Sequence, residues 1–146
     1  MRLRQTIVLA ALCSVCACSR PFLCDTFVPV QDKQGGFYSF TLDLSDSLGV
    51  YDLFLYTGID GSGRISSVPL STKWISPDGS EYSENALWIA PGAEGVKTRR
   101  DFFSTQVLSP YRTAFRPDVY GEWTLKVACN VPGMRGMGVI LKKEED

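Results

Sequence analysis

The sequence predicts an all-β fold, an antiparallel β-sandwich of the jelly-roll type that forms a single domain. Apolar and polar residues alternate with a period of two in several short segments, which is typical of half-buried strands. Clusters of Gly, Pro, Asp and Asn separate these segments at intervals of roughly ten residues, as turns do. Helical periodicity extends nowhere beyond a turn or two. Many short strands without helices indicate two packed sheets.

The predicted strands follow one another along the chain with turns between them. Residues 38–44 alternate strictly, whereas residues 50–57 form a nearly continuous apolar run that predicts a strand covered on both faces. Residues 68–90 are predicted to form a hairpin around a Pro-Asp-Gly turn, because proline presets the first corner and glycine accepts the next. Residues 91–109 are the least regular stretch. Further strands are predicted at residues 111–116, 123–129 and 137–141.

The beginning of the chain has the form of a secretory signal. Two arginines precede a run of apolar or small residues at 6–17, which is too short for a bilayer core that needs about 20 residues. Val15-Cys16-Ala17 before Cys18 resembles the lipobox of bacterial lipoproteins, in which the cysteine takes a diacylglyceryl group. We therefore expect residues 1–17 to be a lipoprotein signal peptide and Cys18 to be the lipidation site.

The alternative is an ordinary secretory signal that is cut at another small residue and carries no lipid. The other early cysteines follow bulky Leu or Val residues, which should not fit the peptidase, whereas Cys18 follows Ala17. The two acyl chains of a diacylglyceryl group hold a protein stably at a membrane, because each buried methylene contributes about 0.8 kcal/mol. The non-acidic Ser19, by resemblance to Gram-negative lipoproteins, favours the outer membrane. We expect a lipid-anchored protein of the cell envelope that faces the periplasm.

Residues 18–34 are predicted to be the lipidated N-terminus and a tether. They contain two prolines and a polar run, and they end before Gly35-Gly36. A lipid-anchored domain needs such a spacer to clear the lipid headgroups. The predicted β-sandwich domain is then residues 35–146, a length that suits one hydrophobic core.

Composition excludes several classes of function. The formal net charge of the chain is −1, and removal of the signal peptide would remove two arginines. A mildly acidic protein is a poor candidate for nucleic-acid binding, which needs a basic surface. We therefore expect no nucleic acid among its partners.

The chain contains no histidine. This excludes Ser-His-Asp and Cys-His activation of a nucleophile and removes the commonest ligand of transition metals. Asp60-Gly61-Ser62-Gly63 lacks the further acids of a calcium loop, so it is interpreted as a turn. We expect no enzyme activity, no catalytic residues, no metal and no cofactor.

Two cysteines remain after the signal peptide if a lipid occupies Cys18. A disulfide between Cys24 and Cys129 is plausible in an oxidising compartment, and it would close a long loop. The alternative is that Cys129 is a buried thiol and that Cys24 lies unbonded in the tether. The sequence leaves both open.

The order of motifs along the chain resembles a known family. The motifs are Val50-Tyr51-Asp52-Leu53-Phe54-Leu55, Pro69-Leu70, Trp74-Ile75-Ser76-Pro77-Asp78-Gly79, Tyr111-Arg112, Tyr120-Gly121-Glu122-Trp123-Thr124-Leu125 and Pro132-Gly133-Met134-Arg135-Gly136-Met137-Gly138. With the lipobox, this order resembles GldH, the gliding-motility-associated lipoproteins of the Bacteroidetes. The resemblance implies a β-sandwich on a lipidated N-terminus in a Gram-negative envelope. In gliding relatives such lipoproteins are associated with the motility and secretion apparatus, without known catalytic residues.

A basic and aromatic region is the first candidate for partner binding. Arginine and aromatic side chains are enriched where proteins dock. The alternative is a solvated loop with its phenylalanines folded inward. The candidate residues are Lys97, Arg99, Arg100, Phe102, Phe103 and Arg112.

The three tryptophans are the second candidate. Trp74, Trp88 and Trp123 could form a platform for sugar rings, but the apolar neighbours of Trp74 and Trp123 favour a place in the core. We therefore expect a membrane-anchored envelope lipoprotein that assembles with other envelope proteins. The alternative is a jelly-roll binding module for a glycan or peptide.

Overall fold

The protein folds into two antiparallel sheets, which confirms the predicted all-β sandwich. The computed structural model describes residues 22–61, 67–88, 94–100 and 104–144, with backbone only at residues 22–25 and 100. The described strands are β1 (Phe22–Pro29), β2 (Tyr38–Leu44), β3 (Tyr51–Asp60), β4 (Val68–Ile75), β5 (Glu81–Trp88), β6 (Lys97–Arg100), β7 (Ser104–Phe115), β8 (Gly121–Ala128) and β9 (Met134–Lys143). One sheet has the order β1-β9-β3-β7-β6, and the other has the order β2-β8-β4-β5.

The core lies between the two sheets and follows the alternation in the sequence. Strand β2 alternates strictly between buried and exposed residues, and its partner β8 buries every second residue from Trp123 onward. The opposite layer comes from β3 and β9, where Leu53, Leu55, Val139 and Leu141 are at most 1% exposed. Burial of these apolar faces is the main stabilising contribution to such a sandwich.

The apolar run of β3 predicts a strand that is covered equally on both faces. In the structure, the two faces are covered unequally. Every second residue, beginning with Tyr51, is buried in the core, whereas the residues between them are half-buried. Two of these are the aromatic residues Phe54 and Tyr56. The ring of Phe27 stacks on Tyr56, and the ammonium group of Lys142 lies over the ring of Phe54. The apolar run therefore reflects a partly covered aromatic outer face.

The predicted tether is in large part a strand. Residues 22–29 form β1, which pairs with β9 along its length, and Val28 packs against the core. Residues 30–32 form a 3₁₀ turn, and the Lys33 ammonium group lies 5.0 Å from the centre of the Tyr38 ring. The folded body therefore includes residues 22–34. The strand was missed because it lacks strict alternation and its partner lies more than a hundred residues away.

The region predicted to be least regular, residues 91–109, contains the whole of β6 and the first half of β7. β6 and β7 form an antiparallel pair, and β7 is much longer than the predicted strand at 111–116. The full length of β7 could not be predicted from alternation, because the core-facing positions of this strand include polar residues. Thr105 and Ser109, which pair with the buried Ile59 and Leu55 of β3, are each at most 3% exposed. Among the described residues, no helix is long and apolar enough to cross a membrane.

Candidate functional site

The structure divides the residues predicted to bind a partner. Lys97 and Arg99 are exposed on β6, an edge strand, whereas Arg112 lies near the far end of β7. Arg112 forms an ion pair with Glu84 of β5. The side chain of Arg100 and the residues Phe102 and Phe103 lie outside the described part of the chain. The predicted cluster thus contributes to two separate surfaces.

The first surface is the outer face of the five-stranded sheet. One row across the sheet is Phe27 on β1, Gly138 on β9, Tyr56 on β3, Leu108 on β7 and Lys97 on β6. Paired residues point to the same side of a sheet, so these side chains share one face. We call outer face the set Phe27, Phe54, Tyr56, Leu108 and Ile140, with Lys97 and Arg99 at its edge.

Two glycines of β9 shape this outer face. A Cβ atom at Gly138 would overlap the ring of Tyr56, and one at Gly136 would come within 2.7 Å of the ring of Phe27. The two rings therefore lie over backbone that carries no side chain. They stack on each other with centroids 5.7 Å apart and planes inclined by 26°. Aromatic rings that cover strand glycines restore packing that the glycine lacks.

A groove of about 400 Å³ extends from the Tyr56 ring to β6 at the edge of the sheet. Its walls include Tyr56, Leu108 and Ile140, and the exposed Lys97 and Arg99 close its outer end. The charge pattern of the sequence indicated the two basic residues, but the aliphatic and aromatic residues were not predicted. The spacing of Phe54 and Tyr56, two residues apart, was a signal in the sequence for an aromatic face. Their position beside β6 depends on pairing between distant strands.

The second surface is a cavity of about 290 Å³ between β5 and the end of β7. We call it the end pocket. Its walls include both aromatic and charged side chains. These are Trp74, Tyr82, Glu84, Arg112, Phe115, Arg116, Asp118 and Trp123. The tryptophans Trp74, Trp88 and Trp123 are 8%, 6% and 5% exposed, so they belong to the core, and two of them also border this pocket.

A hydrogen-bond network fixes the carboxylate of Glu84 in the end pocket. The Tyr111 hydroxyl donates to Glu84 Oε1 at 3.0 Å, and Arg112 binds the other carboxylate oxygen. Thr72 Oγ1 lies 2.9 Å from the Tyr111 hydroxyl. Burial raises the pKa of Tyr111, so this hydroxyl stays protonated and remains a donor. The carboxylate is therefore held in one orientation.

Among the residues that the structure describes, no group of three or more His, Cys, Asp or Glu side chains is placed to hold a metal ion. The end pocket contains two carboxylates, Glu84 and Asp118, and two guanidinium groups, those of Arg112 and Arg116. These groups can donate and accept hydrogen bonds. The arrangement therefore suits binding through hydrogen bonds and ring contacts.

Cys129 is a buried free thiol in the structure. Burial raises its pKa from 9.0 to about 11, and the charge of Lys33 opposes this rise only in part. The side chain of Cys24 and the whole of Cys18 lie outside the described residues. The disulfide and the lipid therefore stay predictions.

In the folded protein, Cys129 is expected to react only slowly with N-ethylmaleimide at about pH 8, because burial limits both access and ionisation. Urea without reductant is expected to restore rapid labelling, read by mass spectrometry of the Cys129 peptide. The stabilising contribution of the neutral thiol is complete below pH 9.0 and declines towards about pH 11, since the unfolded thiol ionises first. Labelling that needs reduction as well as unfolding would instead support the Cys24–Cys129 disulfide.

In comparisons with known proteins, no family model, curated protein or solved structure matches this chain.

Proposed function

We propose that this protein is a non-enzymatic lipoprotein of the bacterial envelope that assembles with other envelope proteins through its outer face. The lipid on Cys18 would hold it at the outer membrane, on the periplasmic side. The observation that carries the proposal is the strip of aromatic and aliphatic residues that ends at two exposed cations on an edge strand.

The chemistry of the outer face is that of a docking surface. Phe27 is 41% exposed, and Tyr56, Leu108 and Ile140 are half-buried. Protein interfaces combine a central apolar and aromatic patch with a charged rim. Lys97 and Arg99 supply that rim, so the partner should present an acidic edge next to an apolar centre.

The N-terminal sequence supports the place of action. The lipobox before Cys18 and the resemblance to the gliding-motility-associated lipoproteins both favour a lipid-anchored assembly factor. The overall charge of −1 does not favour nucleic acid as a partner.

The double charge reversal Lys97→Glu/Arg99→Glu is expected to lower partner capture at least about tenfold, because it replaces two attractive rim charges by repulsive ones. A photo-crosslinking amino acid at Gln106, which is exposed on the outer face between Arg99 and Gly58, would report capture in intact membranes. The same probe at Ser39, exposed on the other sheet, should capture little. Cys18→Ser should also reduce capture, because it removes the anchor.

The matched control is Lys73→Glu/Lys126→Glu. These two lysines are neighbours in register on the outer side of the four-stranded sheet, and their reversal changes the net charge by the same amount. If both double variants reduce partner capture equally, the effect is due to the change in net charge and not to the outer face. Equal capture from Gln106 and Ser39 would argue against the outer face as the docking surface.

A further inference from the structure

The end pocket lies where the two sheets diverge. Strand β5 is the last strand of its sheet, and Tyr82 and Glu84 on its inner side face β7 across the gap. Trp74 and Trp123 lie deeper, with ring centroids 6.2 Å apart in an edge-to-face arrangement. The pocket therefore has a rigid aromatic floor that belongs to the core.

Strand β7 bends where it borders the end pocket. Its pairing with β3 shifts between Leu53 and Phe54 and again between Tyr51 and Leu53. Ala114 has a φ of 50°, which is unusual for a residue other than glycine, and its N–H donates to Asp52 Oδ1 at 2.8 Å. Bulges of this kind redirect the side chains that follow them. Here the next two residues, Phe115 and Arg116, line the pocket.

Tyr82 forms an accessible platform at the pocket. Its ring lies 6.1 Å from that of Trp123 at an angle of 31°, so a buried neighbour supports it. The residue is nevertheless 48% exposed. A supported ring of this kind presents an apolar surface to a ligand at little cost in side-chain entropy.

The polar groups around the pocket balance in charge and provide both kinds of hydrogen bond. Glu84 and Asp118 accept, whereas Arg112 and Arg116 donate. Within the described part of the chain, Arg116 and Asp118 form neither an ion pair nor a hydrogen bond with the protein. With two charges of each sign, the pocket favours neither an anion nor a cation.

We propose that the end pocket is a binding site for a neutral saccharide. A sugar ring has an apolar C–H face, which suits the rings of Tyr82 and Phe115, and hydroxyl groups that both donate and accept hydrogen bonds. The fixed carboxylate of Glu84 and the unpaired groups of Arg116 and Asp118 complement those hydroxyls. The volume of about 290 Å³ lies near the lower end of the range for ligand pockets, about 300–1,000 Å³. This site is separate from the outer face, so it does not depend on the proposed function.

The test uses the full chain, purified in a detergent without a sugar headgroup. Cellohexaose, chitohexaose, maltohexaose and mannohexaose are titrated up to about 10 mM, with tryptophan emission and calorimetry as readouts. Since Trp74 and Trp123 border the pocket, a saccharide that binds there is expected to change the emission in a saturable way. Tyr82→Ala is expected to weaken this binding at least about tenfold.

The matched control is Tyr120→Ala, which removes a tyrosine that is 51% exposed and does not line the pocket. It should leave the affinity within about twofold. Arg116→Met, which retains the side-chain stem, should weaken binding several-fold, and it decides the question if Tyr82→Ala fails to fold. Binding that survives both pocket variants would overturn the proposal. The absence of saturable binding by all four saccharides would also overturn it. A protein that binds extended peptides but no saccharide, and loses that peptide binding in Tyr82→Ala, would overturn it as well.

Discussion

Leu125→Ala is expected to lower the free energy of unfolding by about 2–5 kcal/mol, because it leaves a cavity in the centre of the sandwich. Leu125 is 0% exposed and lies in register between Phe40 of β2 and Trp74 of β4. Its neighbours belong to rigid strands, so the cavity can close only in part. Urea unfolding followed by circular dichroism would measure the loss.

The control for this prediction is Leu48→Ala, the same chemical change at a residue that is 80% exposed in a turn. Its effect should be at most about 0.5 kcal/mol. If Leu125→Ala costs no more than this control, the two sheets do not pack around residue 125 as described.

Gly138→Ala is expected to lower the free energy of unfolding by about 1–3 kcal/mol, because the new Cβ atom would overlap the ring of Tyr56. The ring cannot move freely, since it stacks on Phe27. Removing the ring should relieve the overlap. The double variant Tyr56→Ala/Gly138→Ala should therefore be more stable than the sum of the two single effects predicts, with a coupling of about 0.5–3 kcal/mol.

Gly58→Ala is the matched control on the same side of the sheet. Among the described residues, a Cβ atom there would meet the side chain of Arg135 alone, at 3.7 Å. Replacement of glycine by alanine also restricts the unfolded chain, which by itself stabilises a protein by about 0.4–1 kcal/mol. Gly58→Ala should therefore be neutral or slightly stabilising. Equal destabilisation by both alanine variants would mean that the Tyr56 ring does not lie over Gly138.

The fold class and several strands could be predicted from local pattern alone. Strand β2 buries one face and exposes the other, and β8 buries one face and leaves the other largely half-buried, so alternation in the sequence reports their structure directly. β1 and β7 do not show this signal. β1 has no strict apolar–polar alternation, since Phe27 and Val28 are adjacent apolar residues, and it ends at Pro29. The core side of β7 contains buried serine and threonine residues.

The candidate sites were harder to predict because they combine strands that are distant in sequence. Lys97 and Arg99 were identified by their charge, but the outer face that they border also needs Tyr56 and Phe27. The end pocket depends on Tyr82 facing the bulged end of β7. Neither juxtaposition follows from the composition of any one segment. Both follow from the strand order of the two sheets.

The start of β1 at Phe22 restricts how the protein can stand at a membrane. With a lipid on Cys18, three residues separate the anchor from Phe22, and the four Cα-to-Cα steps between them reach at most about 14 Å. Phe22 pairs with Lys142, and the ends of β3 and β7 near Tyr51 and Phe115 lie at the same end of the sheet. A connection this short would keep that end of the sheet beside the bilayer. The protein would then meet its neighbours sideways within the membrane plane, and the end pocket would sample sugars displayed close to the lipid surface.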